Sequence, residues 1–283
     1  MEPIAGGRLR RLTAFSTSRD GGNRAGVWVG DALPSPQEMQ SIASYVGFSE
    51  TAFLAQAGDR VWVTRYYAPA AEVSFCGHAT IAAGVALSDT HGPGRFELDT
   101  AAGLVPVEVD VVDGRAVASL TSVEPEHEPA SDGLLGAVLA LLGWSDAELN
   151  AAIPPARAYA GAWHLVLAVA ELKTLKRLDY DFDAMRKVME DEGLTTLQLV
   201  FRDGEAKFES RNPFPVGGVV EDPATGAAAA AQGGYLRAIG AVAAPARLTI
   251  SQGVDMGRPS TLEVLVPVEG GVVVSGPAVD LDD

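Results

Sequence analysis

Cysteine is almost absent from this chain, which contains one cysteine among 283 residues. A single thiol excludes an intramolecular disulfide, a CxxC redox motif and a zinc site made of several cysteines. The four histidines show no spacing typical of metal ligands, so we expect no metal site. The serine-hydrolase elbow, the P-loop, the HExxH motif and the Rossmann fingerprint are also missing, so the chemistry that these motifs support is not indicated.

Positive charge is scarce, with 21 Lys and Arg against 37 Asp and Glu, for a formal net charge of -16. Such an excess of negative charge disfavours binding to nucleic acid and to anionic membranes, and we expect neither as a partner. No apolar run is long enough to form a membrane-spanning helix, and residues 1–11 have no apolar segment typical of a signal peptide. We therefore expect a soluble, cytoplasmic protein.

Two segments of the chain, separated by about half of its length, resemble each other. Without any gap, Arg65, Pro69, Val73 and Cys76 align with Arg211, Pro215, Val219 and Asp222. Each segment leads into an alanine-rich stretch that predicts a helix. The spacing predicts two similar halves that each bring a loop and a helix start to one shared site.

Hydrophobic periodicity and turn residues predict strands and a few helices without regular βαβ alternation, which favours an α+β fold. The Glu- and Pro-rich stretch 122–131 predicts a boundary between halves 1–122 and 123–270, with the tail 271–283 packing back on the first half. The predicted helices cover about residues 36–46, 77–87, 132–142, 145–151, 181–192 and 225–238. The predicted strands are 11–18, 26–30, 52–54, 60–67, 95–100, 104–112, 115–121, 163–170, 196–202, 205–211, 246–252 and 261–267.

The two duplicated segments place small residues at a predicted helix start. The first turn of a helix exposes unpaired N–H groups and a partial positive charge, which attract carboxylates and phosphates. Two such helix starts could hold a small anionic substrate despite the negative net charge. The alternative is that each alanine-rich helix only packs in the core of its half.

Three side chains are candidates for proton transfer. Glu50 lies between Phe48 and Phe53, and burial there would raise its pKa towards neutrality, as a general acid/base requires; the alternative is a solvated loop glutamate. His78, inside the first duplicated segment, could carry a proton or orient a carboxylate, although a lone histidine is more often structural. Asp222 could add a carboxylate to the same site, or it could only cap the second helix. The remaining histidines are expected to be structural: His91, His127 and His164.

Five motifs, taken together and in order, resemble the phenazine-biosynthesis-like (PhzF-like) isomerase family within the diaminopimelate epimerase-like superfold. The resemblance spans nearly the whole chain. The motifs are Ser49-Glu50-Thr51-Ala52-Phe53, Phe75-Cys76-Gly77-His78-Ala79-Thr80, Thr100-Ala101-Ala102-Gly103, Glu221-Asp222-Pro223-Ala224-Thr225-Gly226, and Gln252-Gly253 with Gly257-Arg258-Pro259-Ser260.

The resemblance implies two pseudo-equivalent halves, each a curved, mostly antiparallel sheet around a central helix, with the site between them. It also implies cofactor-independent proton transfer on a small cyclic or amino carboxylate, and we expect a homodimer. By the same resemblance Glu50 is the general acid/base, and His78 and Asp222 line the site. The expected contacts of the substrate carboxylate are Cys76, Gly77, Ala79, Thr225 and Gly226.

Two alternatives stay open. Where the family usually has serine after Thr-Gly, this chain has Ala227, which lacks a hydroxyl for the substrate; a non-catalytic small-anion binding protein on the same fold is therefore one alternative. The other is an epimerase that uses Cys76 and Asp222. Superfold relatives that racemise amino acids use two cysteines, and the single cysteine excludes that pair within one subunit. A second departure is Gly22-Asn23-Arg24, where the family has Gly-Asn-Pro.

Overall fold

The computed structural model describes residues 2–282 and confirms an α+β fold with two pseudo-equivalent halves. The chain divides into two compact units. Unit 1 contains the residues up to Leu120 together with those from Ser275 onward, and unit 2 contains Thr121–Val274. Within the described residues, no helix is long and apolar enough to cross a membrane.

Unit 1 is built mainly of strands and has two helices among its described residues. Its elements are β1 (Glu2–Ile4), β2 (Gly7–Ala14), β3 (Asn23–Gly30), α1 (Pro36–Val46), β4 (Glu50–Gly58), β5 (Val61–Tyr67), β6 (Glu72–Val73), α2 (Gly77–His91), β7 (Gly94–Thr100), β8 (Gly103–Val112) and β9 (Arg115–Thr121).

Unit 2 repeats this mixture with two additional short helices. Its elements are β10 (Glu126–Pro129), α3 (Asp132–Leu142), β11 (Ala156–Tyr159), β12 (Trp163–Val169), α4 (Leu172–Lys176), α5 (Phe182–Asp191), β13 (Thr196–Arg202), β14 (Lys207–Arg211), β15 (Pro213–Phe214), β16 (Val219–Glu221), α6 (Gly226–Ala238), β17 (Ala246–Gln252) and β18 (Ser260–Val266). The last strand, β19 (Val273–Asp280), carries the chain from unit 2 back into unit 1.

The sheet of unit 1 closes on itself around α2. Its strands follow the order β2-β3-β4-β5-β7-β8-β9, and β19 pairs with both end strands, β9 and β2. The pairs β3–β4 and β5–β7 are parallel, and α1 and α2 make the crossovers between them. Every residue of α2 from His78 to Ser88 is buried, because a helix that is apolar on all sides needs cover on all sides.

Unit 2 has the same strand order, β11-β12-β13-β14-β17-β18, with α6 as its central helix. Here too the pairs β12–β13 and β14–β17 are parallel, while β13–β14 and β17–β18 are antiparallel. The residues of α6 from Ala228 to Leu236 are all buried. The two central helices therefore occupy equivalent places in two sheets of the same topology.

Register and packing show how closely the two halves correspond. In β4 and β5 Phe53 lies opposite Arg65, and in β13 and β14 Leu199 lies opposite Arg211, so the spacing of the duplicated segments is kept in both strands. On the central helices, a Cβ at Gly84 would lie 2.7 Å from Val107, and one at Gly233 would lie 3.2 Å from Val264. Along the sequence, Gly84 and Gly233 lie three residues farther apart than Arg65 and Arg211 do. The second half has therefore gained three residues before its helix.

That insertion corrects the ungapped alignment at the helix start. Cys76 is the N-cap of α2, and Thr225 is the N-cap of α6. Thr225, and not Asp222, therefore has the helix position of Cys76. Asp222 lies three residues ahead of the N-cap and does not cap the helix from the N-cap position.

Most predicted elements are confirmed, but one predicted helix is wrong and one long strand was not predicted. The stretch 145–151 forms only a 3-10 turn at Asp146–Glu148. The stretch 122–131, which was predicted as the boundary between the halves, contains β10, which pairs with β11. The sequence did not predict β19, because Gly276-Pro277 interrupts its pattern.

Candidate active site

The first residue of β4, Glu50, lies next to the start of α2. Parallel pairing sets Glu50 opposite Ala25 of β3, and the first residue of β3 is Asn23. Both strand starts therefore face the first turn of α2, where His78 lies. The distance from Glu50 Oε2 to His78 Nε2 is 3.4 Å, and His78 Nδ1 is 3.2 Å from Asn23 Nδ2.

The environment of Glu50 differs from the sequence prediction. Side chains alternate between the two faces of a strand, so Phe53 lies on the face opposite to Glu50. There Phe53 packs against Trp28 and Met39, in the cluster that buries α1. The predicted position between two aromatic rings is therefore wrong for Phe53. The contacts of Glu50 with the start of α2 are polar.

The hydrogen bonds of His78 assign a tautomer to its ring. With the amide of Asn23 in this orientation, Nδ2 donates to His78 Nδ1, so the neutral ring carries its proton on Nε2. Nε2–H then faces the carboxylate of Glu50 and the hydroxyl of Ser49, which lies 3.3 Å away. The side chain of His78 is only 8% exposed and that of Glu50 is 18% exposed, so solvent reaches the carboxylate more readily than the ring.

Cys76 also lies against the His78 ring. Its Sγ is 3.4 Å from His78 Nδ1 and 3.9 Å from Nε2. The Cys76 carbonyl accepts a hydrogen bond from Thr80 Oγ1, which is 2.6 Å from the hydroxyl of Tyr66. Complete burial raises the pKa of Tyr66, so its hydroxyl stays protonated. This buried chain of hydrogen bonds fixes the backbone that carries the thiol.

Two of the predicted substrate contacts, Gly77 and Ala79, lie in the first turn of α2. A Cβ added to Gly77 would meet no atom within 4 Å, so the space beside this residue is open. Ala79 is fully buried, so its side chain could not contact a ligand. The N-cap Cys76 makes no side-chain hydrogen bond to the first turn. The first N–H groups of α2 are therefore not capped by the residue that most often caps them.

In unit 2, Asp222 belongs to a network of hydrogen bonds ahead of α6. Its carboxylate accepts from the hydroxyl of Thr225. The side chain of Gln252 donates to the Asp222 carbonyl over 2.7 Å and to Thr225 Oγ1 over 3.1 Å. Gln252 is 1% exposed, and it also accepts from Ser210. These contacts hold the Asp222 backbone and the helix start in one fixed arrangement.

The structure explains why the residue after Gln252 is a glycine. Gly253 has φ +73°, and a Cβ there would lie 2.4 Å from the carbonyl oxygen of Arg258 and 2.8 Å from that of Pro223. Only glycine fits both this conformation and this close approach. The Gln252-Gly253 motif therefore supports the turn that carries Asp222.

The neighbour of Asp222 has a different role. Glu221 forms an ion pair with Arg211, and both side chains are largely buried, 9% and 12% exposed. Arg211 also donates to the carbonyls of Leu175 and Lys176. Glu221 and Arg211 therefore hold the strands together and are not available for proton transfer.

The carboxylate of Glu50 is not repeated in the second half. At the spacing that separates Arg65 from Arg211, its counterpart is Thr196, the first residue of β13, which pairs with His164 as Glu50 pairs with Ala25. Thr196 and His164 are fully buried. One half therefore presents a partly exposed carboxylate beside an imidazole, and the other has a sealed hydroxyl beside an imidazole.

The structure brings the predicted site residues together in two groups. In unit 1 Glu50, Cys76, Gly77 and His78 lie at the start of α2, and in unit 2 Asp222, Thr225 and Gly226 lie at the start of α6. The expectation that both groups serve one site stays a prediction. Two residues of these groups, Asn23 and Gln252, were not predicted from the sequence, although each lies within one of the motifs given above.

Comparisons with known proteins find similarity along nearly the whole length of this chain. A family model described as phenazine biosynthesis-like protein matches residues 12–282. An uncharacterized isomerase of Deinococcus radiodurans is 30% identical over 279 residues, covering 93% of this chain and 88% of its own.

Solved structures show the same fold. A predicted epimerase from Pseudomonas aeruginosa superimposes with a TM-score of 0.85 at 25% identity, covering 97% of both chains. A phenazine biosynthesis protein of the PhzF family from Bacillus anthracis has a TM-score of 0.84 at 23% identity, covering 96% of both chains. The organisation into two halves is therefore shared with these proteins.

Proposed function

Since the chain belongs to the phenazine biosynthesis-like protein family, we propose that it is an isomerase that moves a proton on a small cyclic or amino carboxylate without a cofactor. Glu50 is the general acid/base. The observation that carries this proposal is the contact of 3.4 Å between Glu50 Oε2 and His78 Nε2. A partly exposed carboxylate with one oxygen next to an imidazole nitrogen can accept a proton and return it.

In the proposed reaction, the Glu50 carboxylate removes a proton from a carbon of the substrate. The electron pair of that C–H bond moves into the conjugated system, and protonated Glu50 returns the proton to another carbon. His78 Nε2–H donates to the carboxylate and stabilises it while it is charged. Asn23 is a positioning residue, since its amide selects the tautomer that places the imidazole proton towards Glu50.

The substrate carboxylate is proposed to bind the N–H groups that open a central helix, at Gly77 and Ala79 in α2. In both helices the N-cap side chain does not occupy these donors, and N–H groups at a helix start attract carboxylates. For Thr225 and Gly226 the same role stays a prediction, as does an assisting role for Asp222. The variant Asp222→Asn, measured beside the Glu50 variant, tests that assistance.

The proposal predicts that Glu50→Gln lowers turnover by about two to four decades, the usual contribution of a general acid/base. Native mass spectrometry of co-purified ligand identifies the substrate, and NMR then follows solvent deuterium entering it. Glu108→Gln, which changes an exposed glutamate of β8, is the matched control and should keep full turnover. Near-wild-type deuterium incorporation by a folded Glu50→Gln variant would contradict the proposal.

A second candidate is an epimerase that uses the thiol, favoured by the distance of 3.4 Å between Cys76 Sγ and His78 Nδ1. Under the first proposal Cys76→Ala retains most of its activity. Loss of deuterium incorporation in this variant, with an unchanged circular dichroism spectrum, would favour the thiol mechanism. A ligand that binds and never exchanges its protons would instead support the non-catalytic binding protein.

A further inference from the structure

We propose that Glu50, Cys76 and His78 form a binding site for a zinc-type divalent cation. One oxygen, one sulfur and one nitrogen donor of these residues all lie within 4.8 Å of one another. Among residues 2–282 this is the single group of three such side chains that comes so close. Spacing along the sequence could not predict it, because only one ligand is a histidine and Glu50 comes from a distant strand.

The distances suit a tetrahedral ion. Zinc lies about 2.3 Å from sulfur and about 2.0–2.1 Å from nitrogen or oxygen, so tetrahedral angles separate sulfur from nitrogen by about 3.6 Å and nitrogen from oxygen by about 3.4 Å. In the structure Cys76 Sγ is 3.9 Å from His78 Nε2, and His78 Nε2 is 3.4 Å from Glu50 Oε2. The third pair, Cys76 Sγ and the Glu50 carboxylate oxygen, lies within 4.8 Å, so the Glu50 or Cys76 side chain would have to move by up to about 1.2 Å to complete the tetrahedron.

The chemistry of the three donors selects the class of cation. Thiolate and imidazole prefer zinc, cobalt and related transition ions over magnesium or calcium. Three protein ligands leave the fourth position for water, as in open zinc sites. The formal net charge of -16 also raises the local concentration of cations around the protein.

Asn23 completes the arrangement as an outer partner. An ion on His78 Nε2 requires the ring proton on Nδ1, and the Asn23 amide can flip so that its oxygen accepts that proton. Such a partner fixes the orientation of a metal-bound imidazole. The Cys76 thiol loses its proton to solvent as the metal–sulfur bond forms, so one proton is released and affinity rises with pH.

Metal binding and proton transfer would exclude each other at this site. This part of the inference rests on the proposed function, because the ion occupies the carboxylate and imidazole that handle the proton. Zinc would therefore act as an inhibitor that a chelator reverses. The ion would also shield the single thiol from alkylation.

Cobalt titration of the tag-free full chain tests the site without any substrate. Because Cys76 is the one cysteine, a sulfur-to-cobalt charge-transfer band in the near ultraviolet can come from no other residue. We expect this band and the intense visible absorption of tetrahedral cobalt to saturate at one equivalent, and zinc to abolish both. Cys76→Ser should remove the charge-transfer band.

Further variants test the other ligands. Glu50→Gln and His78→Gln should each weaken cobalt binding by more than the approximately 10–100-fold that losing an outer partner costs, and Asn23→Ala should fall within that range. His127→Gln, which changes an exposed histidine, is the matched control and should bind as the wild type does. Circular dichroism shows whether each variant is folded. If His78→Gln does not fold, Glu50→Gln alone tests the ligands other than Cys76.

Two outcomes would overturn the inference. One is cobalt absorption that lacks the charge-transfer band, which would place the ion on surface carboxylates. The other is an unchanged binding midpoint in the folded Glu50→Gln variant. A chain that binds cobalt as expected but incorporates no deuterium into any ligand would refute the proposed isomerase alone, so the two failures are distinguishable.

Discussion

Mild acid should lower the free energy of unfolding of the protein because of the buried side chain of His164. This residue of β12 is completely buried, and its Nδ1 lies 2.7 Å from the hydroxyl of Thr196. Its Nε2 has no hydrogen-bond partner among the described residues. Burial lowers the pKa of His164 from its ordinary value of 6.5 to about 3, so the folded protein keeps the ring neutral.

The sign follows from where the proton binds. Below pH 6.5 the unfolded chain binds a proton at this histidine and the folded chain does not, so the free energy of unfolding falls as pH falls. The fall continues until the pH reaches the folded pKa of about 3. Each pH unit in this window costs about 1.4 kcal/mol, so the difference between pH 7 and pH 5 is about 2 kcal/mol.

Urea unfolding at pH 7, 6 and 5, followed by circular dichroism, measures this loss in wild type and in His164→Asn. The asparagine amide can still reach Thr196 but cannot be protonated. We expect the wild type to lose about 2 kcal/mol more than the variant between pH 7 and pH 5. The comparison uses the slope against pH, so the cavity left by the smaller side chain does not affect it.

His127→Asn is the control, because His127 is exposed and should leave the slope unchanged. Equal slopes in wild type and His164→Asn would refute the reasoning. That result would mean that the folded protein accommodates the protonated ring, and the burial of His164 would then have no electrostatic consequence.

Two further predictions concern packing within each unit. Gly84→Ala should destabilise unit 1 by about 1–3 kcal/mol, since its Cβ would lie 2.7 Å from Val107; adding Val107→Ala should recover part of the loss, and Gly136→Ala, with nothing within 4 Å, should cost nothing in the same thermal melts. Glu221→Gln should cost about 3 kcal/mol or more in urea unfolding, because it leaves the charge of Arg211 buried without its partner. If Glu221→Gln unfolds at the wild-type midpoint, or if the double variant Arg211→Met with Glu221→Leu is no more stable than the single one, the ion pair does not have the role assigned to it.

Local signals in the sequence predicted the elements that local interactions form. Ser35 and Glu38 make a capping box at the start of α1, with N–H to side-chain distances of 3.3 and 2.9 Å, and the pattern is readable in the sequence. Gly47 ends the helix in the left-handed conformation. The starts of the two central helices were also predicted from a local signal, because small residues follow a turn in each.

A similar local signal failed where tertiary contacts decide. Ser145 and Glu148 also form a capping box, yet the helix ends after one turn. The next residue, Leu149, bridges to Val169 instead, and the backbone N–H of Asn150 donates to the Ala168 carbonyl. The strand β12 therefore competes for this segment, and no local pattern could reveal that competition.

The candidate site was predictable in its members and less so in its surroundings. Glu50 and His78 were identified from their motifs, and the structure places them in contact. In β4, alternation places Phe53 on the face opposite to Glu50. A period of two predicts this placement once β4 is known to begin at Glu50. Asn23 and Gln252 were missed because their importance comes from partners that are distant in sequence.

The return of β19 to unit 1 has a consequence for synthesis on the ribosome. Thr121–Val274 form unit 2 from one continuous stretch, whereas unit 1 needs residues from both sides of it. Until β19 is made, β9 and the Leu12–Ala14 end of β2 keep open edges, to which other strands can pair. The residues up to Leu120 therefore emerge early but close late, and the second half can be complete before the first. Nascent-chain folding should run in the reverse of chain order, with the ion pair between Arg10 and Asp280 among the last contacts to form.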